Sequence, residues 1–229
     1  MATYPQQPAH CKLKFLSELG EIFNSGAYSD LTVKAGPATF KVHKAILGVR
    51  TKFFEMATRE DGFLESKDNI VTIKEHSAHA VWRFLTYCYV GDYPNAENKE
   101  IAEDDDETYL KHTRVHALAD MLDVPNLKII AAEKLETAFQ VWDTGPFIQC
   151  FKEIYATTNT RDAGIRNVLL CAAAKNIHSL LGMQTFQNEF EGYGEFLAAL
   201  LMKIKPQINS NTVTSRTRVN YREFFANGY

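Results

Sequence analysis

Apolar and polar residues alternate across Tyr28–Phe54 in a pattern that predicts two short strands, a tight turn and a helix. Leu31 and Val33 are each followed by a polar residue, which is the period of a half-buried strand. Gly36-Pro37 interrupts this strand and supplies turn residues. The apolar residues of the second strand and the following helix are Phe40, Val42, Ile46, Leu47, Val49, Phe53 and Phe54.

Three polar residues in this stretch stand among apolar neighbours. Asp30 precedes the hairpin, and His43 and Lys44 follow it directly. Either these side chains are exposed, or they meet in the fold and neutralise one another.

An amphipathic helix is predicted before the first strand, over His10–Phe23. It ends at Asn24–Gly26, a stop signal. Because it precedes the hairpin, it either folds back on the domain or lies against another copy of the chain. Its apolar stripe consists of Leu13, Leu16, Leu19, Ile22 and Phe23.

Further elements follow the hairpin and its helix. Ile70–Ile73 predicts a third strand, and Ser77 is suited to cap the next helix. Gly91–Pro94 terminates that helix. Two more helices are predicted over Tyr109–Leu122 and Pro125–Phe139, since proline suits a first helical position.

The segment 95–107 is strongly acidic and ends in the run EDDDE. Because like charges repel, we expect a solvated, mobile loop there. This segment has no apolar period of its own.

The pattern beyond Gln140 is purely helical. It predicts helices over Thr144–Ala156 and Asp162–Leu181. Two shorter helices are predicted over Gln184–Ile204, broken at Gly192–Gly194, and Pro206 is expected to end them. The polar run after Pro206 predicts a flexible tail.

Composition excludes several classes of protein. A net charge of −3 and a pI near 6.2 argue against a nucleic-acid binder. The sequence has no run of about 18 apolar residues, the length that would predict a membrane-spanning helix. The first residues lack the apolar segment of a secretory signal. Widely spaced cysteines in apolar surroundings predict buried thiols, in a cytoplasmic and/or nuclear protein: Cys11, Cys88, Cys150 and Cys171.

The sequence carries no motif typical of a catalytic or metal-binding site. The chain has no phosphate-binding loop, dinucleotide glycine pattern or nucleophile elbow. His76 and His79 are three apart and His112 and His116 four apart, but neither pair has the accompanying residues of a zinc site. We therefore interpret them as surface or helix-terminal histidines, and we predict neither an enzyme nor a cofactor.

Four blocks in chain order resemble the BTB/POZ family: Ser29-Asp30, Phe40–Leu47 (FKVHKAIL), Phe84–Gly91 (FLTYCYVG) and Leu118–Leu127 (LADMLDVPNL). The resemblance covers about residues 11 to 139. It implies an α+β fold in which helices flank a small, mostly three-stranded sheet, followed by an all-α C-terminal extension. The expected divisions are a flexible leader at 1–9, a BTB/POZ domain at 10–139, the helical extension at 140–206 and a flexible tail at 207–229.

The resemblance also implies residue roles. Asp30 and Lys44 would lie in a charged pocket beside a dimer interface, paired with each other. His43 would be buried and held by hydrogen bonds. The first helix would pack across a two-fold axis through Leu13, Leu16, Leu19 and Phe23, which makes the chain a homodimer.

One further match concerns partners. Phe63, Leu64 and Glu65 stand shortly before the third strand, where family members that recruit cullins carry an apolar residue, any residue and a glutamate. This segment resembles that of the speckle-type POZ group. The aromatic ring would enter a pocket of the cullin while the glutamate accepts a hydrogen bond. The alternative is that Phe63 packs into its own domain and Glu65 is solvated.

The predicted function is a homodimeric adaptor that links an unknown target protein to a cullin-RING ubiquitin ligase. Two features depart from the usual adaptors. The chain has neither a β-propeller nor a TRAF-like module, and its extension is similar to that of short fungal members. The alternative is a dimerising scaffold in transcriptional regulation or signalling that binds no cullin.

Overall fold

The structure, a computed structural model, describes residues 9–59, 68–158 and 162–214. In chain order its elements are α1 (Ala9–Ser25), β1 (Leu31–Ala35), β2 (Ala38–Val42), α2 (Lys44–Arg50), α3 (Lys52–Ala57), β3 (Ile70–Ile73), α4 (Ala78–Val90), α5 (Thr108–Met121), α6 (Pro125–Ala138), α7 (Thr144–Thr157), α8 (Ala163–Lys175), α9 (Ile177–Leu181), α10 (Phe186–Phe190) and α11 (Gly194–Thr214).

The sheet has three strands in the order β2-β1-β3. β1 and β2 form the predicted antiparallel hairpin, and β3 pairs with β1 in parallel. Gly36 takes φ +53° at the first position of the two-residue turn, a conformation that suits glycine. A parallel pair needs a long crossover, and here the crossover includes α2 and α3.

The core of the α/β part forms around α4. Val81, Phe84 and Leu85 are completely buried, as are Val33 and Val42 of the sheet. α1 and α2 both pack on α4. The predicted α+β class is therefore confirmed, with helices flanking the small sheet.

The two ends of α4 follow local chemistry. The Ser77 hydroxyl accepts a hydrogen bond from the backbone N–H of Ala80 at 3.1 Å. Gly91 ends the helix in the left-handed conformation with φ +82°. Both signals were correctly interpreted from the sequence.

The helical stretch after the hairpin is interrupted at Thr51. This residue is extended (φ −142°, ψ 142°), and its side chain accepts from the N–H of Phe54 at 3.1 Å, which caps α3. The spacing of buried positions in α3 is therefore not continuous with that in α2. Leu47 and Phe54 are fully buried, whereas Val49 is 87% exposed.

The structure divides into two compact units, residues 1–168 and 169–229, which we describe separately. In the first unit, α7 packs on α5. It buries Phe147, Phe151 and Ile154 completely. The Arg114 side chain of α5 also binds Glu153 of α7 at 3.0 Å.

In the second unit, Phe190 stacks on Phe196 with ring centroids 5.6 Å apart. The break at Gly192 (φ +84°) is confirmed.

Two C-terminal predictions were wrong in their boundaries. Asp162–Leu181 contains two helices, because the chain breaks at Asn176. The last helix does not end at Pro206 but continues to Thr214. A proline removes one backbone hydrogen bond and its ring crowds the preceding turn, which can kink a helix without ending it.

Candidate protein-interaction surface

The first helix directs its apolar side chains to two different sides. Phe23 is 8% exposed and stacks on Tyr89 with ring centroids 4.9 Å apart, and Leu19 packs against the same core. Leu16 is half-buried. Leu13 is 68% exposed, so it is the member of the predicted stripe most available to a partner.

A second exposed apolar residue on α1, an aromatic one, was not singled out from the sequence. Phe15 is 58% exposed. It lies off the stripe with i, i+3 spacing, so periodicity gave no reason to single it out. An apolar residue outside the main stripe of an amphipathic helix was the available signal.

Helices α2 and α3 also present large apolar side chains to solvent. Val49, Phe53 and Met56 are 87%, 41% and 42% exposed. In the sequence, Val49 and Phe53 stand at helical spacing with Ile46, Leu47 and Phe54, a pattern that does not by itself say which of them are buried. Their exposure makes α2 and α3 candidates for contact with a partner.

His43 is half-buried and held at both ring nitrogens. Nε2 lies 2.8 Å from the carbonyl oxygen of Ala27, so it carries the proton, and Nδ1 accepts from the Tyr89 hydroxyl at 2.7 Å. The same hydroxyl accepts from the backbone N–H of His43 at 3.0 Å. These contacts assign the Nε2–H tautomer, and they tie the start of α2 to α4 and to the segment before β1.

Asp30 and Lys44 meet in a way that the sequence did not predict. The Asp30 carboxylate accepts from the backbone N–H of Lys44 at 2.8 Å, at the first turn of α2. Among the described residues, no ion pair joins Asp30 to the Lys44 ammonium. Asp30 is exposed and stabilises a helix N-terminus, where a negative charge is favoured.

The acidic segment 95–107 is docked through some of its carboxylates, which corrects the prediction of a solvated loop. The Asp105 carboxylate binds Arg83 through two hydrogen bonds of 2.8 and 2.6 Å and Lys111 through one of 3.0 Å. Arg83 is completely buried. Like charges in the segment do not force it open, because cations of α4 and α5 neutralise them.

The electrostatics of Asp105 follow from this contact. Burial would raise the pKa of its carboxyl, but the hydrogen bonds and charges of Arg83 and Lys111 lower that pKa to about 2. Next to it, Asp106 accepts from Ser77 at 2.7 Å and pairs with Arg114. The end of the acidic segment therefore joins α4 to α5.

Three histidines that were expected at the surface or at helix ends are buried: His79, His112 and His116, each 1–2% exposed. Burial and the nearby cations lower the pKa of His112 to about 3, so its Nδ1 accepts from the Tyr93 hydroxyl at 2.9 Å. Burial also lowers the pKa of His116, although Asp162 opposes this. The rings of His112 and His116 are therefore neutral parts of the helix packing.

Other chemistry is limited in the part of the chain that the structure describes. Cys88 and Cys150 are buried as predicted, and burial raises the pKa of both thiols, but Cys11 is exposed. The described residues include no group of three or more histidine, cysteine or acidic side chains placed to hold a metal. Among the described helices, none is both long and apolar enough to cross a membrane.

The predicted cullin-binding residues Phe63, Leu64 and Glu65 lie outside the described residues. Of the described elements, α3 ends at Ala57 before these residues in the sequence, and β3 begins at Ile70 after them.

Comparison with known proteins agrees with this architecture. The model of the BTB/POZ domain family matches residues 19–138, just over half of the chain. Among solved structures, the BTB domain of zebrafish PATZ1 is similar over 59% of this chain and 99% of its own, with 16% sequence identity and a TM-score of 0.43. Since that structural likeness is weak, the assignment rests on the family model. The chain belongs to the BTB/POZ family, whose domains are protein-interaction modules.

Proposed function

We propose that this chain is a homodimeric adaptor that links a target protein to a cullin-RING ubiquitin ligase. The observation that carries the proposal is a set of large apolar side chains exposed on three consecutive helices of a BTB/POZ domain. These are Leu13 and Phe15 of α1, Val49 of α2, and Phe53 and Met56 of α3.

Burial of these side chains supplies the energy for dimerisation. Covering one large apolar side chain fully stabilises a complex by about 1.5–3 kcal/mol. Since α1 and α2 both pack on α4, a second copy can cover several of these residues together. In this interface Leu13, Leu16 and Phe15 make the contact, while Leu19 and Phe23 hold α1 on its own domain. Asp30 and Lys44 lie at the start of α2, beside this surface.

The cullin-binding role rests on the order of the chain. Phe63, Leu64 and Glu65 fall between α3 and β3, where cullin-recruiting members of the speckle-type POZ group carry their contact residues. A buried aromatic side chain with a neighbouring hydrogen-bonded carboxylate is typical of an interface hot spot.

A pull-down with a purified cullin amino-terminal domain tests this role. The wild-type chain should retain the cullin, and the double variant Phe63→Ala, Glu65→Ala should lose at least about 2 kcal/mol of binding free energy, the level of a hot spot. The matched control is Ser66→Ala, Lys67→Ala in the same segment, which should bind like the wild type. Equal binding by wild type and the Phe63, Glu65 variant would refute the site.

The competing function is a dimerising scaffold in transcriptional regulation or signalling. Affinity purification followed by mass spectrometry separates the two. Recovery of cullin and RING components supports the adaptor, whereas recovery of chromatin factors alone supports the scaffold.

The proposal also includes the finer classification. We infer a speckle-type POZ relative with a short fungal-type extension, located in the cytoplasm and/or nucleus. Its divisions would be a leader at 1–9, a BTB/POZ domain at 10–139, a helical extension from 140 to the end of α11 at Thr214, and a tail after it. Limited proteolysis should then cut first in the leader and the tail.

A further inference from the structure

A groove of about 420 Å³ lies in the first unit between α6 and the beginning of α8. Its floor is apolar and consists of Ile129 and Ala132 from α6 and Ile165 and Val168 from α8. Ile129 is 57% exposed, although it stands on a helix that buries its opposite side. This surface therefore has apolar area that no described side chain covers.

The rim of the groove is acidic. Asp120, Asp123, Glu133, Glu136 and Asp162 line it, and Lys128 is the one lysine or arginine among the described lining residues. The Lys128 ammonium already forms ion pairs with two of these carboxylates, at 2.5 Å from Asp120 and 2.8 Å from Asp162.

Three of these carboxylates have no ion-pair partner among the residues that the structure describes. Asp123, Glu133 and Glu136 are exposed, and within the described ranges they form no ion pair. His116 also lines the groove. It is buried and adds no positive charge at neutral pH. The groove thus combines an apolar floor with unbalanced negative charge on its edge.

We propose that this groove binds a short amphipathic segment of a partner protein, with lysine or arginine residues on both sides of an apolar stripe. The apolar stripe covers the floor, and the basic side chains neutralise the three unpaired carboxylates. The groove follows α6 from Pro125 to Glu136, about 17 Å at 1.5 Å per residue. A helical segment of about 11 residues matches that length, as in other helix-in-groove complexes.

This inference goes beyond the adaptor role. It gives the chemistry of the third protein, which the proposed function leaves unspecified, and it does not require that a cullin binds. An acidic or phosphorylated segment does not fit, because it would meet like charges on the rim.

The test uses the full chain and a phage-displayed library of random 16-residue peptides. Selected peptides are synthesised and their affinities measured by fluorescence anisotropy. We expect a consensus with basic residues flanking an apolar i, i+3, i+4 pattern. The variant Glu133→Lys, Glu136→Lys should bind these peptides at least about tenfold more weakly, which corresponds to 1.4 kcal/mol.

The matched control is Glu97→Lys, Glu100→Lys, the same charge change at the same spacing on the exposed part of the acidic segment. This control should bind the peptides within about twofold of the wild type, because Glu97 and Glu100 do not line the groove and salt screens charges at a distance. Three outcomes would overturn the proposal. The peptides could lose affinity equally for both variants, their consensus could lack basic residues, or no selected family could depend on Glu133 and Glu136. Loss of cullin retention, or a changed oligomeric mass, in the groove variant alone would also overturn it, since the groove would then hold the cullin or a second copy.

Discussion

At the scale of single residues, Tyr89 has a central position in the hydrogen bonds around His43. Its hydroxyl accepts from the His43 backbone N–H and donates to Nδ1. Tyr89 is completely buried, and burial raises the pKa of its hydroxyl, which stays protonated and able to donate. The ring also stacks on Phe23, so one side chain joins α1, the start of α2 and α4.

The substitution Tyr89→Phe should therefore destabilise the fold while preserving its packing. It removes one hydroxyl and leaves a backbone N–H and Nδ1 of His43 without their partner, at a cost of about 1–3 kcal/mol. Urea denaturation at pH 7 measures the free energy of unfolding, and the m-value should stay unchanged.

Tyr28→Phe is the matched control, since the Tyr28 side chain is 90% exposed. Its free energy of unfolding should change by less than about 0.5 kcal/mol. If Tyr89→Phe were as stable as this control, the hydrogen bonds around His43 would contribute nothing to folding.

At the scale of elements, the acidic segment connects α4 and α5. Asp105 binds the buried Arg83 and Lys111, while Asp106 binds Ser77 and Arg114. A guanidinium that is completely buried needs a counter-charge, because an isolated buried charge is costly. These two carboxylates thus hold the segment in place, while the neighbouring Asp104 is exposed to solvent.

The variant Asp105→Asn should lower the free energy of unfolding at pH 7 by about 3–5 kcal/mol, because Arg83 stays buried without its counter-charge. The pKa of Asp105 in the folded chain, about 2, lies below its ordinary value. Its carboxylate therefore stabilises the fold above the unfolded pKa, and this contribution is lost as the pH falls toward 2. The stability difference between wild type and variant should shrink over that range.

Chemical denaturation at a series of pH values from 7 to 2 measures this difference. Asp104→Asn is the control, since its side chain is exposed, and it should follow the wild type throughout. A difference for Asp105→Asn that stays constant down to pH 2 would contradict the role of its ionised form.

At the scale of the whole molecule, the exposed apolar residues of α1 to α3 are the basis of the proposed self-association. Phe23 and Leu19 attach α1 to the domain, and Leu13 and Phe15 remain outside. A monomer would leave this apolar area in water, which is unfavourable by about 25 cal/mol per Å².

Light scattering at micromolar concentration should give twice the chain mass of 26.0 kDa. The double variant Leu13→Asp, Phe15→Asp should give the mass of one chain with an unchanged circular dichroism spectrum, since neither residue belongs to the core. The Tm of the wild type should rise with protein concentration, and that of the variant should not.

Val141→Asp is the control for surface charge, because Val141 is 82% exposed on a loop outside α1 to α3. It should remain dimeric. A wild-type mass of one chain, or a dimer that persists in the Leu13, Phe15 variant, would contradict this interface.

Most elements of this fold could be predicted from the sequence, because their signals are local. Alternation specified the hairpin and β3, Ser77 and Gly91 marked the ends of α4, and Pro125 marked the start of α6. Apart from these signals, four sequence blocks in chain order resemble the BTB/POZ family, and the family model confirms that membership.

The orientation of individual side chains was decided only by the tertiary structure. Whether Phe23 or Phe15 points inward depends on where Tyr89 lies, 66 and 74 positions further along the chain. The acidic segment looked solvated because its own charges repel, and only the position of Arg83 shows why Asp105 is docked. Local sequence thus determines helices, strands and caps through short-range backbone energetics, whereas burial and charge pairing depend on residues that meet only after folding.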